Sequence, residues 1–249
     1  CCQPVVAGLD RWLMTGHGFG VILTSKALSG QSRVSHGFTG RMDSHAETLN
    51  LGRGVDESAW LRAADLVGAS GAPVAFASQV HGREVLHAKR PGLVGEADAL
   101  ICDQPGLLVA MRVADCVPIL VAGDGVVAAI HAGWRGLAAG IIPATMAALG
   151  TGRWVAAVGP RICVDCYEVG EEVVDGVGTL VPTSSFVRRD FGSRPHADLG
   201  AAAAHQLKEG GVTEVDVLPV CTRCSARHWS HRQEGQAAGR QAGLVGWMC

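Results

Sequence analysis

Three residues that lie far apart in the sequence could together hold a metal ion. His81 stands in a Ser-Gln-Val-His-Gly segment, Cys116 in Ala-Asp-Cys-Val-Pro, and His131 in His-Ala-Gly-Trp-Arg-Gly. Two imidazoles and one thiolate suit zinc, and three protein ligands leave its fourth coordination position open. Since an open position is typical of catalytic zinc, the three residues predict a metal-assisted reaction.

Spacing alone does not single out this set. A histidine at a strand end is more often a hydrogen-bonded residue of the core or rim, and a cysteine in an apolar segment more often packs inertly. By composition, five further histidines are equally available as ligands: His87, His196, His205, His228 and His231.

Two pairs of cysteines, Cys163/Cys166 and Cys221/Cys224, have the Cys-x-x-Cys spacing. Together they could form a zinc site with four thiolates. However, the pairs lie far apart in the sequence, and the first encloses Val164 and Asp165 rather than the glycine or basic residues usual in zinc knuckles. We therefore take buried or redox-inactive thiols as the default interpretation.

Strand and helix signals alternate along the chain and would position these residues. Apolar or β-branched runs predict strands at Val74–Gln79, Leu107–Arg112, Pro118–Ala122, Val126–His131, Arg153–Val158 and Thr213–Pro219. Ala-rich or amphipathic runs predict helices at Gly136–Leu149, Val169–Leu180 and Asp198–Glu209. All three candidate ligands then fall at or just beyond strand ends, so neighbouring strands could bring them to one sheet edge.

The chain is expected to form a single domain over residues 1–249, with residues 1–33 as an irregular N-terminal segment. Antiparallel hairpins, such as one turning at Gly123–Gly125, mix with helices and favour an α+β fold with a mixed sheet over a doubly wound parallel sheet. The polar segment Cys221–Gly239 is expected to be a surface loop or the rim of a site.

Composition excludes several classes of protein. With 48% apolar and 18% charged residues, the chain can build a sizeable core, and a net charge of −2 gives no basic excess for binding nucleic acid or anionic lipid. The longest apolar stretch, Leu107 to Ile130, is interrupted by charged residues and a proline, which argues against a membrane helix. Residues 1–30 lack a secretory signal, and the chain starts at Cys1, so its true start is expected to be missing or processed. We expect a cytoplasmic monomer or small homo-oligomer.

Eight blocks carry a further resemblance: Thr48–Gly52, Ser78–Gly82, Ala97–Ala99, Ala114–Pro118, His131–Gly136, Gly159–Pro160, Cys166–Gly170 and Trp229–Arg232. In order and content they resemble the laccase-domain family, also called the multicopper polyphenol oxidase or purine nucleoside phosphorylase family, which includes the peptidoglycan editing factor type. The resemblance covers nearly the whole chain from about residue 34. Its Asp-Cys and His-Ala-Gly-Trp-Arg-Gly blocks are long and specific.

This resemblance implies a zinc ion bound by His81, Cys116 and His131, which would then be the catalytic residues, in one domain of α/β/β/α layers. It also implies phosphorolysis of adenosine, inosine, guanosine and methylthioadenosine, together with deamination of adenosine. Purine nucleosides and phosphate would be the partners. An open zinc position can activate water for attack at purine C6, or polarise the substrate while an arginine holds phosphate.

Arg41, Asn50 and Arg135 are predicted to bind substrate. Family members usually carry a Thr-Arg-x-Gly-Gly block, and Arg41 matches its arginine as a candidate anchor for phosphate or nucleoside, although Met42-Asp43-Ser44 follows it here. The C-terminal block departs as well, because Arg232-Gln233-Glu234-Gly235 replaces a doubled arginine followed by Asp-Gly, and a rim contact could change there.

Asp98 and Asp115 are candidate proton carriers or partners of the zinc-binding histidines, although each could equally be a turn residue. Three other functions are alternatives to the phosphorylase. A cysteine hydrolase with Cys116 as nucleophile and His131 as base, or a zinc hydrolase, would suit the editing of peptidoglycan precursors implied for some relatives. A copper-dependent polyphenol oxidase is less favoured, because the ten histidines form no His-x-His or His-Cys pattern. A metal-binding scaffold would follow if His81 and Cys116 lay too far apart.

Overall fold

The structure is a computed structural model that describes residues 22–52, 54–190 and 192–248. Most of the predicted irregular segment and the region expected to lack a secretory signal therefore lie outside the described residues. The described part of that segment, residues 22–33, contains one two-residue strand and one four-residue helix.

The strands of the described residues are β1 (Ile22–Leu23), β2 (Val34–Thr39), β3 (Val74–Ser78), β4 (Val85–His87), β5 (Gly92–Glu96), β6 (Ala99–Cys102), β7 (Leu108–Val113), β8 (Val117–Gly123), β9 (Val126–Ala132), β10 (Trp154–Val158), β11 (Val187–Arg188), β12 (His196–Ala197), β13 (Val212–Val217) and β14 (Gln241–Trp247). The helices are α1 (Lys26–Ser29), α2 (Glu57–Leu66), α3 (Trp134–Ala139), α4 (Ile141–Leu149), α5 (Glu171–Gly178), α6 (Leu199–Glu209) and α7 (His231–Glu234). None of these helices is long and apolar enough to span a membrane.

Two six-stranded mixed sheets pack face to face between layers of helices. The first sheet has the order β1-β2-β14-β7-β3-β5 and the second β13-β10-β8-β9-β6-β4. Side chains such as Phe38, Met111 and Leu120 fill the core between the sheets. Helix α2 covers the outer face of the first sheet, and α3 to α6 cover that of the second. This arrangement confirms the α+β fold and its α/β/β/α layers.

The centre of the second sheet is the hairpin of β8 and β9, which places Cys116 and His131 at the same end. Val117 pairs with Ala132 and Gly123 with Val126, so Asp124 and Gly125 form a two-residue turn. Both have positive φ, +48° and +78°, as the favoured hairpin turn requires. The predicted turn is confirmed.

One predicted helix is divided into two in the structure. The sequence pattern predicts a single helix over Gly136–Leu149, but the structure has α3 and α4 with a break at Gly140. Gly140 adopts φ +82°, and its N–H binds carbonyls of α3, which is a common way for a glycine to end a helix. The helix predicted at Val169–Leu180 is also shorter, since α5 begins only after Gly170.

Candidate metal centre and active site

A fully buried carboxylate, Asp98, organises the candidate site. Asp98 directly precedes β6, and its two oxygens accept backbone N–H groups of Val80, His81 and Gly82 at 2.7 to 3.2 Å. His81 has φ +62°, a left-handed conformation in which consecutive N–H groups can converge on an anion. The loop after β3 therefore wraps around Asp98, and this fixes the backbone that carries His81.

Asp98 also orients His131. The antiparallel pairing of β6 with β9 places Ala99 opposite Ile130, so Asp98 lies beside His131, and the Nδ1 of His131 is 2.7 Å from an Asp98 oxygen. An ionised carboxylate only accepts hydrogen bonds, so Nδ1 of His131 donates its proton to Asp98, and Nε2 is left as the ring nitrogen that can bind a metal. Burial raises the pKa of Asp98, but the hydrogen bonds from His131 and the loop lower it below its ordinary value.

Cys116 completes the set of three predicted ligands. It directly precedes β8, and its Sγ lies 3.8 Å from Nε2 of His81. The ligand atoms of His81, Cys116 and His131 all lie within 4.8 Å of one another. A tetrahedral zinc ion separates a nitrogen and a sulfur ligand by about 3.6 Å, given its usual bond lengths. The three donors therefore fit one zinc ion, and the predicted grouping of His81, Cys116 and His131 is present in the structure.

The surroundings of the cluster shift the pKa values of Cys116 and His131 in opposite directions. Burial would raise the pKa of Cys116, but the charges and hydrogen bonds of His131 and His81 lower it to about 6. Burial would likewise lower the pKa of His131, but the Cys116 thiolate and Asp98 raise it to about 9. A thiolate is the form of cysteine that binds metals, so the lowered pKa of Cys116 favours its role as a metal ligand.

Gly133 leaves room for the cluster. A Cβ added there would lie 2.9 Å from Cδ2 of His81 and 3.1 Å from Sγ of Cys116. Its φ of −74° suits any residue, so the restriction comes from the neighbouring ligands and not from the backbone. We expect Gly133→Ala to weaken zinc binding at this site about 10-fold, measured by competition with a chelator, because the ligands must move. Gly30→Ala, which places a Cβ no closer than 3.4 Å to its neighbours, is the control; equal zinc affinities in the two variants would contradict the prediction.

Asp115 holds the C-terminal segment over the site. It has φ +83°, and its side chain accepts hydrogen bonds from Oγ1 of Thr222 and from the backbone N–H of Arg232, both at 2.6 Å. With both oxygens engaged in this way, Asp115 acts as a positioning residue next to Cys116. Of the two predicted partners, Asp98 is the one that contacts a histidine ligand.

The three residues predicted to bind substrate lie in different surroundings. Asn50 lines the cavity in front of the ligand cluster, and its Oδ1 accepts N–H groups of Gly52 and Arg240, which orients the amide. Arg41 lies outside the cavity wall, where it binds both oxygens of Glu234 at 2.7 Å. Arg135 is exposed and lies over the ring of Trp134, also outside the cavity. Substrate binding by these residues stays a prediction.

The cavity has a volume of about 680 Å³, and its lining includes residues outside the predicted set of site residues. Its polar wall includes Gln79, Arg112, His231 and Arg240. Gln79 and His231 lie in the blocks noted above, whereas the only signal for Arg112 was a charge within an apolar strand. His231 and Gln236–Ala238 line the cavity, so part of the segment after Cys221 forms its rim. A second cavity, of about 860 Å³, lies between α4 and α6, and its walls contain none of the three candidate ligands.

A buried histidine of this rim segment, His228, is expected to make the free energy of unfolding depend on pH. His228 donates to or accepts from Oγ of Ser225 at 2.9 Å, and burial, with the charges of Arg227 and Arg41, lowers its pKa to about 4. The unfolded chain binds this proton near pH 6.5, so the free energy of unfolding should fall as pH drops from about 6.5 to about 4, by about 3 kcal/mol in all.

Denaturant unfolding at a series of pH values checks this expectation. His228→Gln should lose this part of the acid destabilisation, and His45→Gln controls for the loss of an exposed histidine. An identical pH profile for wild type and His228→Gln would refute it.

A second cluster consists only of thiols. The Sγ atoms of Cys163, Cys166, Cys221 and Cys224 lie within 4.8 Å of one another. The structure thus brings together the two Cys-x-x-Cys pairs, as the alternative of a site with four thiolates requires. The hydrogen bond with the Cys163 thiol lowers the pKa of Cys221.

Comparison with known proteins identifies the family. A family model described as multi-copper polyphenol oxidoreductase laccase matches residues 34–248. The chain belongs to this family. The resemblance predicted from the sequence blocks is therefore confirmed, and the match spans both thiol-containing clusters.

Relatives of the family share most of the chain. A purine nucleoside phosphorylase of Streptomyces coelicolor is 39% identical over 218 residues, 81% of this chain and 88% of that protein. A purine nucleoside phosphorylase of Deinococcus radiodurans is 40% identical over 183 residues, 68% of each chain. Among solved structures, a Neisseria meningitidis protein matches with a TM-score of 0.77 at 32% identity, covering 92% of this chain and 99% of that one. YlmD from Geobacillus stearothermophilus matches with a TM-score of 0.83 at 27% identity, covering 96% and 100%.

Proposed function

We propose that this protein is a zinc-dependent purine nucleoside phosphorylase that acts on adenosine, inosine, guanosine and methylthioadenosine and also deaminates adenosine. One observation carries the proposal: a single cavity joins the His81, Cys116 and His131 cluster to two arginines, and no carboxylate among the described residues lines it. Such a cavity suits an anionic co-substrate beside a neutral nucleoside. The two relatives named as purine nucleoside phosphorylases support the same function.

Zinc suits the donor set better than copper does. Two imidazoles and a thiolate, one imidazole held by a buried carboxylate, are typical of a catalytic zinc site. Multicopper centres need several histidine groups, and the other cluster of potential metal ligands among the described residues contains only thiols. When bound, zinc would supply Lewis-acid polarisation of substrate and, for deamination, an activated water.

Arg112 and Arg240 are the groups that would hold phosphate. Each guanidinium is fixed by backbone carbonyls, that of Arg112 by Ala77 at 2.8 Å and that of Arg240 by Ala238 and Gly239 at 2.6 and 2.8 Å. Fixed donors lose little freedom when they bind an anion, which favours positioning of the attacking oxygen. Arg41 lies behind this wall, and we propose that it supports the rim through Glu234.

Phosphorolysis also requires a proton for the leaving purine. A phosphate oxygen forms a bond to C1′ of the ribose while the C1′–N9 bond breaks, and its electron pair passes to the purine, which takes up a proton. Apart from the three ligands and the two arginines, His231 is the titratable side chain that lines the cavity. We therefore propose His231 as the proton donor and Asn50, through its amide, as a contact to the nucleoside.

The role of Arg240 can be separated from that of the metal cluster. We expect Arg240→Gln to raise the KM for phosphate about 10-fold, because one charged donor is lost, with a smaller effect on the KM for adenosine. Arg240→Lys keeps the charge and should retain part of the phosphate affinity. Steady-state kinetics at varied phosphate measure both, and an unchanged KM for phosphate in Arg240→Gln would remove Arg240 from the phosphate site.

The function is tested with a panel of nucleosides. The zinc-loaded protein should release the free base from each of the four nucleosides only when phosphate is present, and should convert adenosine to inosine without phosphate. Turnover to inosine alone would reduce the function to that of a deaminase. Copper-dependent oxidation of phenols without nucleoside turnover would refute the proposal.

The contact between Asp98 and His131 favours a second candidate function, that of a cysteine hydrolase. Cys116, His131 and Asp98 also form a nucleophile, a base and a carboxylate that orients the base, as in cysteine hydrolases. Such an enzyme could hydrolyse peptidoglycan precursors, and it would not need zinc. Activity on a muropeptide substrate that survives removal of the metal by a chelator would favour this candidate.

A further inference from the structure

The sheet topology explains why the two Cys-x-x-Cys pairs meet. Cys163 and Cys166 follow β10, and Cys221 and Cys224 follow β13, which pairs with β10 in parallel. The pairing continues past the strand ends, where Arg161 bridges to Cys221 and the Thr222 N–H donates to the Arg161 carbonyl at 3.0 Å. Corresponding cysteines of the two pairs are therefore 58 residues apart in the chain and adjacent in space.

The spacing of the sulfurs fits one tetrahedral ion. All four Sγ atoms lie within 4.8 Å of one another, and those of Cys166 and Cys224 are 3.3 Å apart. Four thiolates around zinc are about 3.8 Å apart, given a Zn–S bond of about 2.3 Å. A disulfide would need a distance of about 2.05 Å between two sulfurs, which is shorter than the 3.3 Å between those of Cys166 and Cys224.

The surroundings resemble those of a metal-bound thiolate group. The N–H of Cys163 donates to Sγ of Cys221 at 3.3 Å, and a tight turn closes the first pair, with the N–H of Cys166 on the carbonyl of Cys163 at 3.0 Å. Arg161, whose side chain is only 12% exposed, acts electrostatically on Cys163 and Cys221. Four thiolates and one Zn²⁺ carry a net charge of about −2, so a buried cation beside them lowers the cost of burying that charge.

We propose that Cys163, Cys166, Cys221 and Cys224 bind a structural zinc ion, separate from the cluster of His81, Cys116 and His131. Four protein thiolates fill the coordination sphere and leave no position for substrate, which is the arrangement of structural zinc sites. This site does not depend on the proposed reaction.

The same residues connect this ion to the candidate active site. Thr222, between Cys221 and Cys224, donates to Asp115, which directly precedes Cys116. Tyr167 follows Cys166, and its ring lies 4.9 Å from the guanidinium carbon of Arg232 on the rim. The ion would therefore hold the start of the rim segment against the β7–β8 turn.

The proposal is tested by metal analysis of variants that lack Cys116 and therefore cannot hold zinc at the cluster of His81, Cys116 and His131. Protein is produced with zinc, purified, and measured for zinc and for reactive thiols. Cys116→Ala should retain about one zinc ion per chain, and the double variant Cys116→Ala/Cys224→Ser should retain none. Cys224 is exposed, so its replacement leaves the core packing unchanged.

Two controls keep the result interpretable. Cys116→Ala/Cys224→His keeps four ligands of kinds that zinc accepts and should retain the ion, whereas Cys116→Ala/Cys102→Ala removes a buried cysteine outside both clusters and should also retain it. Chelation should lower the thermal midpoint of Cys116→Ala and expose four additional thiols to alkylation. Absence of zinc in Cys116→Ala, retention of zinc in Cys116→Ala/Cys224→Ser, or disulfides joining the two pairs would each overturn the proposal.

Discussion

Replacing Cys116 by alanine is expected to remove one zinc ion per chain and to lower kcat/KM for phosphorolysis of adenosine by about 10³-fold or more, equivalent to about 4 kcal/mol. Cys116 supplies the thiolate of the three-ligand cluster, and its Sγ lies 3.8 Å from Nε2 of His81. With two imidazoles remaining, zinc has too few protein ligands for a stable site. Zinc analysis and initial rates on the purified variant measure both effects.

Cys102→Ala is the control, since Cys102 is a buried cysteine of β6 outside the cluster and should leave zinc content unchanged. His81→Ala separates the two candidate mechanisms. It removes a zinc ligand but leaves Cys116, His131 and Asp98 in place, so the zinc account predicts loss of activity similar to that of Cys116→Ala. Full activity in His81→Ala would contradict the zinc account and favour a cysteine nucleophile.

Replacing Asp98 by asparagine is expected to weaken zinc binding at the same cluster 10- to 100-fold, about the range seen when partners of histidine ligands are removed. The carboxylate accepts four hydrogen bonds, three from the loop of His81 and one from His131. An amide in its place turns an N–H group toward these donors. The variant should therefore also lose about 3 kcal/mol in the free energy of unfolding, because buried donors are left without acceptors.

Zinc affinity by chelator competition and stability by denaturant unfolding of the metal-free protein measure these effects. Asp103→Asn is a matched control, because Asp103 follows β6 directly as Asp98 precedes it, but it is exposed. If Asp98→Asn bound zinc as tightly as Asp103→Asn, Asp98 would have no role in orienting the ligands.

The metal cluster could be predicted because its ligands lie in long, specific blocks at strand ends. His81, Cys116 and His131 each follow or end an apolar run, and the hairpin turn at Asp124 and Gly125 places two of them at the same sheet end. The role of Asp98 was only one of two alternatives, because its contacts depend on the register between β6 and β9. Strand register comes from tertiary packing and cannot be read from one sequence.

Other features of the fold and the site depend on tertiary contacts that cannot be predicted from local sequence patterns. Gly140 breaks an Ala-rich run, but a single glycine within a helix pattern costs only about 1 kcal/mol, so the pattern did not indicate the break. The two Cys-x-x-Cys pairs are distant in the sequence, and only the parallel pairing of β10 with β13 brings them together. The interaction of Arg41 with Glu234 likewise joins residues 193 positions apart.

Phosphorus NMR of the zinc-loaded protein incubated with adenosine and phosphate tests directly whether the Cys116 site catalyses phosphorolysis. Ribose 1-phosphate should appear in step with free adenine, and neither product should form with Cys116→Ala. Consumption of adenosine without any ribose 1-phosphate, or equal formation of ribose 1-phosphate by wild type and Cys116→Ala, would contradict this expectation.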